Sequence, residues 1–195
     1  MNSPTNPLKR SSSRREFLQT TGAAAAALSI PASSWARVAG ANDRLRIGLV
    51  GCGNRGIEAH MSQVHDHSKD QNAEVVAVCD PWRVHREEAV AKAKEWFGID
   101  VAQYVSYRDL LEKEDLDAVM IASCDHQHTA HLEAFAKAGK DVYCEKPLAM
   151  DLEKLKSACD AVKESGGVVQ IGTQLRSLPS MTGAKALYAT GALGT

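Results

Sequence analysis

The chain has 195 residues, 44% of them hydrophobic and 24% charged, with a formal net charge of -1. Such a composition suits one globular domain with a sizeable core. The near-neutral charge and an aromatic content of 5% supply neither the field nor the stacking surface that nucleic acid would need, and no electrostatic pull toward an anionic membrane.

The first forty residues do not read as fold. "SSSRREFLQTTGAAAAALSI" places Lys9, Arg10, Arg14 and Arg15 ahead of a short, mildly apolar run, and an A-x-A pattern ends at Ala41. This is the layout of an export signal, too short for a membrane-spanning helix. Arg14-Arg15 followed by Phe17-Leu18 resembles the twin-arginine motif, with Gln19 where lysine is common. The expectation is an export segment over 1–41, cleaved after Ala41 or after the competing S-W-A at Ala36. The twin-arginine translocase would be a transient partner, with no stable membrane insertion and a periplasmic or cell-envelope destination.

From Leu45 the pattern turns regular. "LRIGLV" is a short apolar strand ending at Gly51, and a helix is expected from about Ile57. "EVVAVCD" reads as a second strand; "VHREEAVAKAKEWFG" then carries Ala89, Ala93, Trp96 and Phe97 at helical spacing. A weak strand near 102–105 precedes the short helix "YRDLLEKED". "DAVMIAS" is a buried strand and "HTAHLEAFAKAG" a helix closed by Gly139. "DVYCE" is the next strand, Asp151 is placed to cap the following helix, and "VVQIG" is the last strand. Strands alternating with helices predict βαβ units and a doubly wound α/β parallel sheet over 42–178. Five cysteines, at 52, 79, 124, 144 and 159, show no metal-type spacing and are expected as buried thiols.

Two stretches carry chemistry. "GCGNRG", from Gly51 to Gly56, follows a strand and opens a helix, and Asp80 ends the next strand. That context is what dinucleotide binding requires. Gly51 would allow the tight turn, Gly53 the approach of a pyrophosphate, and Gly56 close helix packing; with Asn54 and Arg55 they form the candidate phosphate loop at a helix N-terminus. Asp80 would accept from the adenosine ribose and repel a 2′-phosphate, favouring NAD over NADP, a preference that Arg83 would soften. The plain alternative is a tight turn with no nucleotide. In an open parallel sheet, ligands lie outside the carboxyl ends of the strands. His128, Glu145, Lys146, Gln174 and Arg176 should therefore converge there, with Lys146 pinned by the proline that follows it.

These residues carry a resemblance. "GKDVYCEKPLAMDLEKLK", 139–156, is similar to the G-K-x-V-x-x-E-K-P-L-A run of the Gfo/Idh/MocA oxidoreductases, and "QIGTQLRSLP", 170–179, to their following strand. The likeness runs from about Arg44 to the end and implies a Rossmann fold that binds NAD or NADP. It implies that Lys146 lies beside the nicotinamide and helps deprotonate a substrate hydroxyl. By the same likeness Glu145 and Ser123 contact the nicotinamide ribose, His128 packs nearby, and Arg176 clamps the cofactor. The chain departs from the family's T-P pair at Ser123-Cys124, and Gln127 replaces a frequent aromatic residue.

The resemblance further implies a sugar or polyol substrate oxidised by hydride transfer. The family includes NAD-dependent glycosidases, and a non-catalytic dinucleotide-binding module is a third reading. A second domain, beginning within 179–195, would supply the substrate side and any homo-oligomer contact. His126, His128 and His131 form H-x-H-x-x-H, but no carboxylate set completes a metal pocket, and no metal site is assigned. His131 is expected half-exposed on its helix, and His60, His65 and His67 solvated.

Overall fold

The computed structural model describes residues 44–192; the twin-arginine stretch and its cleavage positions lie outside the described residues. Six strands form one sheet in the order β3-β2-β1-β4-β5-β6: β1 (Leu45–Val50), β2 (Ala73–Cys79), β3 (Ala102–Tyr104), β4 (Ala118–Ile121), β5 (Asp141–Glu145) and β6 (Val169–Gly172). Every pairing is parallel. This is the doubly wound α/β order, with its reversal between β1 and β4.

Apolar patterning explains the layers. Leu49, Val75 and Val78 face a cluster with Ile57, Met61, Val64, Ala89 and Ala93. Those partners come from the segment Arg55–Met61, a π-helical entry into α1 (Ser62–Gln71), from α1 itself, and from α2 (Arg83–Phe97). Val50, Val76 and Val119 face the opposite cluster, built with Leu110, Leu132, Phe135 and Ala158. These belong to α3 (Tyr107–Lys113), α4 (His128–Lys137) and α5 (Leu152–Ser165). Strands covered on both faces read as continuous apolar runs, which is why "LRIGLV" and "EVVAVC" show no alternation.

Local chemistry sets the helix starts. Ser106 Oγ accepts from Arg108 N at 3.2 Å to open α3, and Asp151 Oδ1 accepts from Lys154 N at 3.0 Å to open α5, as its position predicts. The carboxyl ends are tied across the reversal: Gly51 N donates to Cys79 O and Ala122 N to Val50 O, each at 2.8 Å. The loops after β1, β2, β4 and β5 are therefore held at one edge. A last helix, α6 (Pro179–Ala189), follows β6 and buries none of its residues. Among the described residues, no helix is long and apolar enough to cross a membrane.

Candidate dinucleotide site

At Gly51 the backbone sits at φ 93°, and an added Cβ would lie 2.5 Å from the Ala122 carbonyl and the Ser123 amide nitrogen. Any side chain here is strained by conformation and blocked by backbone. A Cβ at Gly56 would run into the carbonyl oxygen of Gly51, so the helix start packs directly on the loop. Gly53 differs: its Cβ would meet only the ring of His85, at an ordinary 3.5 Å. The protein therefore leaves room at Gly53, where the dinucleotide fingerprint needs a phosphate to approach backbone. The first helical turn beyond it begins with Ile57 N donating to Gly53 O at 3.0 Å.

Asp80 is buried and works on the protein itself. Its Oδ2 accepts from Cys52 N and its Oδ1 from Trp82 N, each at 2.8 Å. One carboxylate thus ties the glycine loop to the turn after β2. Two oxygens offer about four acceptor sites, so capacity remains for ribose hydroxyls. A cavity of about 570 Å³ opens beside it, lined by Gly51, Asp80, Trp82, His85, Tyr107 and Ser123 among others. Arg83 does not line it. The guanidinium points outward and pairs with Glu87 at 3.0 Å, a surface i,i+4 ion pair.

A second cavity, of about 320 Å³, lies on the other side of Ser123 and is lined by Arg55, Ser123, His128, Glu145, Lys146 and Gln174. Lys146 is exposed there, its backbone N donating to Glu145 Oε2 at 3.2 Å. Glu145 is 4% exposed. Arg55 reaches across from the glycine loop and donates to its Oε1 from Nε at 2.7 Å, with Nη2 completing the ion pair 2.6 Å from the same oxygen. His128, 1% exposed, places Nδ1 2.7 Å from Pro147 O and Nε2 2.9 Å from Ser123 O. It fastens the turn after β5 to the turn after β4, which sets where Lys146 stands. Arg176 lies exposed in a short 3-10 turn and lines neither cavity, whereas Arg55 and Gln174 both line the smaller one. Asn54 is exposed at the start of the helix without a side-chain cap bond.

Three expectations need correction. His60 is buried, not solvated: Nε2 lies 3.1 Å from Glu145 Oε1 but out of line for a hydrogen bond. Burial lowers its proton affinity, against the opposing pull of the Glu145 charge. His131 is buried too, with Nδ1 3.0 Å from Ser123 Oγ and its ring 4.4 Å from that of Tyr107. Burial, reinforced by the charge of His128, holds its pKa down at about 4. Cys124 is exposed, whereas Cys52, Cys79 and Cys144 are buried, their thiols pushed up by burial, to about 12 for the last two. For His60 a signal did exist: Gly56, Ile57, His60, Met61 and Val64 recur at helical spacing on one buried face.

The sequence matches the oxidoreductase family with an NAD-binding Rossmann fold, GFO_IDH_MocA, over residues 45–173. The chain belongs to that family, as a member of its nucleotide-binding domain. Among its relatives is inositol 2-dehydrogenase of Klebsiella pneumoniae (strain 342), 35% identical over 66% of this chain and 36% of that protein. Glycosyl hydrolase family 109 protein 2 of Shewanella sp. (strain ANA-3) is 34% identical over 62% of this chain and 26% of the other. The structure of scyllo-inositol dehydrogenase from Lactobacillus casei with NAD(H) and scyllo-inositol superposes with a TM-score of 0.66 at 27% identity, over 78% of this chain and 43% of that one. The chain spans less than half the length of each.

Proposed function

We propose that this domain binds NAD across the two cavities and that the protein carrying it oxidises a hydroxyl of a sugar or polyol. The observation that carries the reading is the pair of cavities meeting at Ser123, one beside Asp80 and the glycine loop, the other beside Glu145 and Lys146. A dinucleotide has two such halves joined by a pyrophosphate, and the glycine loop lies between them. NAD supplies the hydride acceptor; the chain's part is to hold it and to manage a proton. Asp80 would take the adenosine ribose, and the amides from Gly53 onward the pyrophosphate. Lys146 would accept the proton that the substrate hydroxyl loses, since oxidation needs a base within hydrogen-bond reach. A lysine serves once neighbouring positive charge disfavours its ammonium, and the oxidised nicotinamide ring carries such a charge. Arg55, its charge offset by Glu145, lines the same cavity.

Titration of the purified chain with NAD, followed by calorimetry, tests the first half: no detectable binding removes the reading. In the full-length gene product, Lys146→Ala should leave NAD affinity within about twofold and lower turnover about 100-fold or more. Equal turnover at saturating NAD takes Lys146 out of the chemistry. The glycosyl hydrolase relative favours a second reading, glycosidic cleavage by transient oxidation with no net redox change. Net formation of reduced nicotinamide, read by its absorbance on adding free sugar or polyol, separates the two. Export through the twin-arginine route is part of the proposal; replacing Arg14 and Arg15 by lysine should trap the protein in the cytoplasmic fraction.

A further inference from the structure

Asp80 alone does not define the ribose site. The first residues of α2 turn a second ionisable group, an imidazole ring, toward it. His85 places Nδ1 3.7 Å from Asp80 Oδ2, beyond hydrogen-bond reach but close enough for charge to matter. Its Cε1 lies 3.5 Å from where a Gly53 Cβ would be, and its ring meets Trp82 edge-on with centroids 4.2 Å apart. The imidazole therefore stands between the phosphate loop and the ribose acid, lining the larger cavity. Its two arginine neighbours are engaged elsewhere: Arg83 on Glu87, Arg86 on Asp80 O at 2.7 Å and on Gln103.

We propose that His85 selects between NAD and NADP together with Asp80. This deepens the dinucleotide reading and rests on it. With the ring neutral, the Asp80 carboxylate stands alone and repels a 2′-phosphate, so the site takes NAD. With the ring protonated, its charge offsets that of Asp80 and its N–H groups donate to the added phosphate, so the same site takes NADP. The other ionisable groups on this side are the buried thiol of Cys79, Arg86 on the same helix, and Tyr107, Cys124, His126 and His131 across the cavity, with the Cys52 thiol buried behind Asp80. Burial keeps His131 neutral above about pH 4, and the thiols stay protonated.

The test is calorimetric titration of the full chain with NAD and with NADP at pH 6 and pH 8. The NADP-to-NAD affinity ratio should rise about tenfold on going from pH 8 to pH 6. In His85→Gln the rise should shrink to about twofold, the part due to the 2′-phosphate's own titration near pH 6. His85→Arg should bind NADP well at both pH values, and His67→Gln, exposed on α1 and outside both cavities, should behave as the parent. Equal pH responses in the parent and in His85→Gln, with NAD still bound, overturn this inference and leave the dinucleotide reading standing. Failure of the parent chain to bind either nucleotide overturns both.

Discussion

On the β1–β2 side of the cleft, backbone makes the site: a positive φ at Gly51, the Gly56 contact with its carbonyl, and one carboxylate collecting two amides. On the β4–β5 side, side chains make it. Arg55 crosses to Glu145, ninety positions along the chain, and His128 bridges Ser123 and Pro147. The first half is local and stereochemical, and one residue type satisfies each position. The second is a set of long-range pairings, where exchange of one partner is absorbed in part by the others.

The contrast predicts unequal costs. Gly51→Ala combines left-handed strain with a backbone clash and should destabilise the fold by about 4 kcal/mol in urea denaturation. Gly53→Ala, in the same loop, should cost about 1 kcal/mol or less while weakening nucleotide binding. A comparable loss of stability at both positions would mean that the loop is not divided between packing and ligand.

Next comes acid. His131 and His60 titrate below a free histidine, so between about pH 6.5 and 4 the unfolded chain binds more protons than the folded one. Stability must then fall as pH drops through that window, by on the order of 3 kcal/mol from His131 at full protonation. Denaturation midpoints at pH 7, 5.5 and 4.5 should show the slope, and His131→Phe should flatten it. A flat parent profile would contradict the burial of this ring.

Glu145→Gln should cost about 2 kcal/mol. Arg55 is 43% exposed at its side chain and recovers solvation, which limits the loss. Smallest of all, Arg83→Ala should change stability by less than about 0.5 kcal/mol and NAD affinity by less than about twofold, since its surface pair with Glu87 adds little. A larger loss of affinity would return Arg83 to the site.

What the sequence by itself determined was whatever follows from period and from residue-specific backbone geometry. Alternation of apolar runs with helical stretches dictated the βαβ order; three glycines and an acid at a strand end marked the candidate phosphate loop; Asp151 marked a helix start. Each is a local constraint, readable within a few positions. Only the tertiary structure decided which charged side chains meet. It paired Arg83 with Glu87, brought Arg55 onto Glu145, and buried His60 and His131 beside groups far along the chain. The physical reason is that a side chain's partner depends on strand order and on the direction of its Cα–Cβ bond. Neither is encoded in the spacing between the two residues.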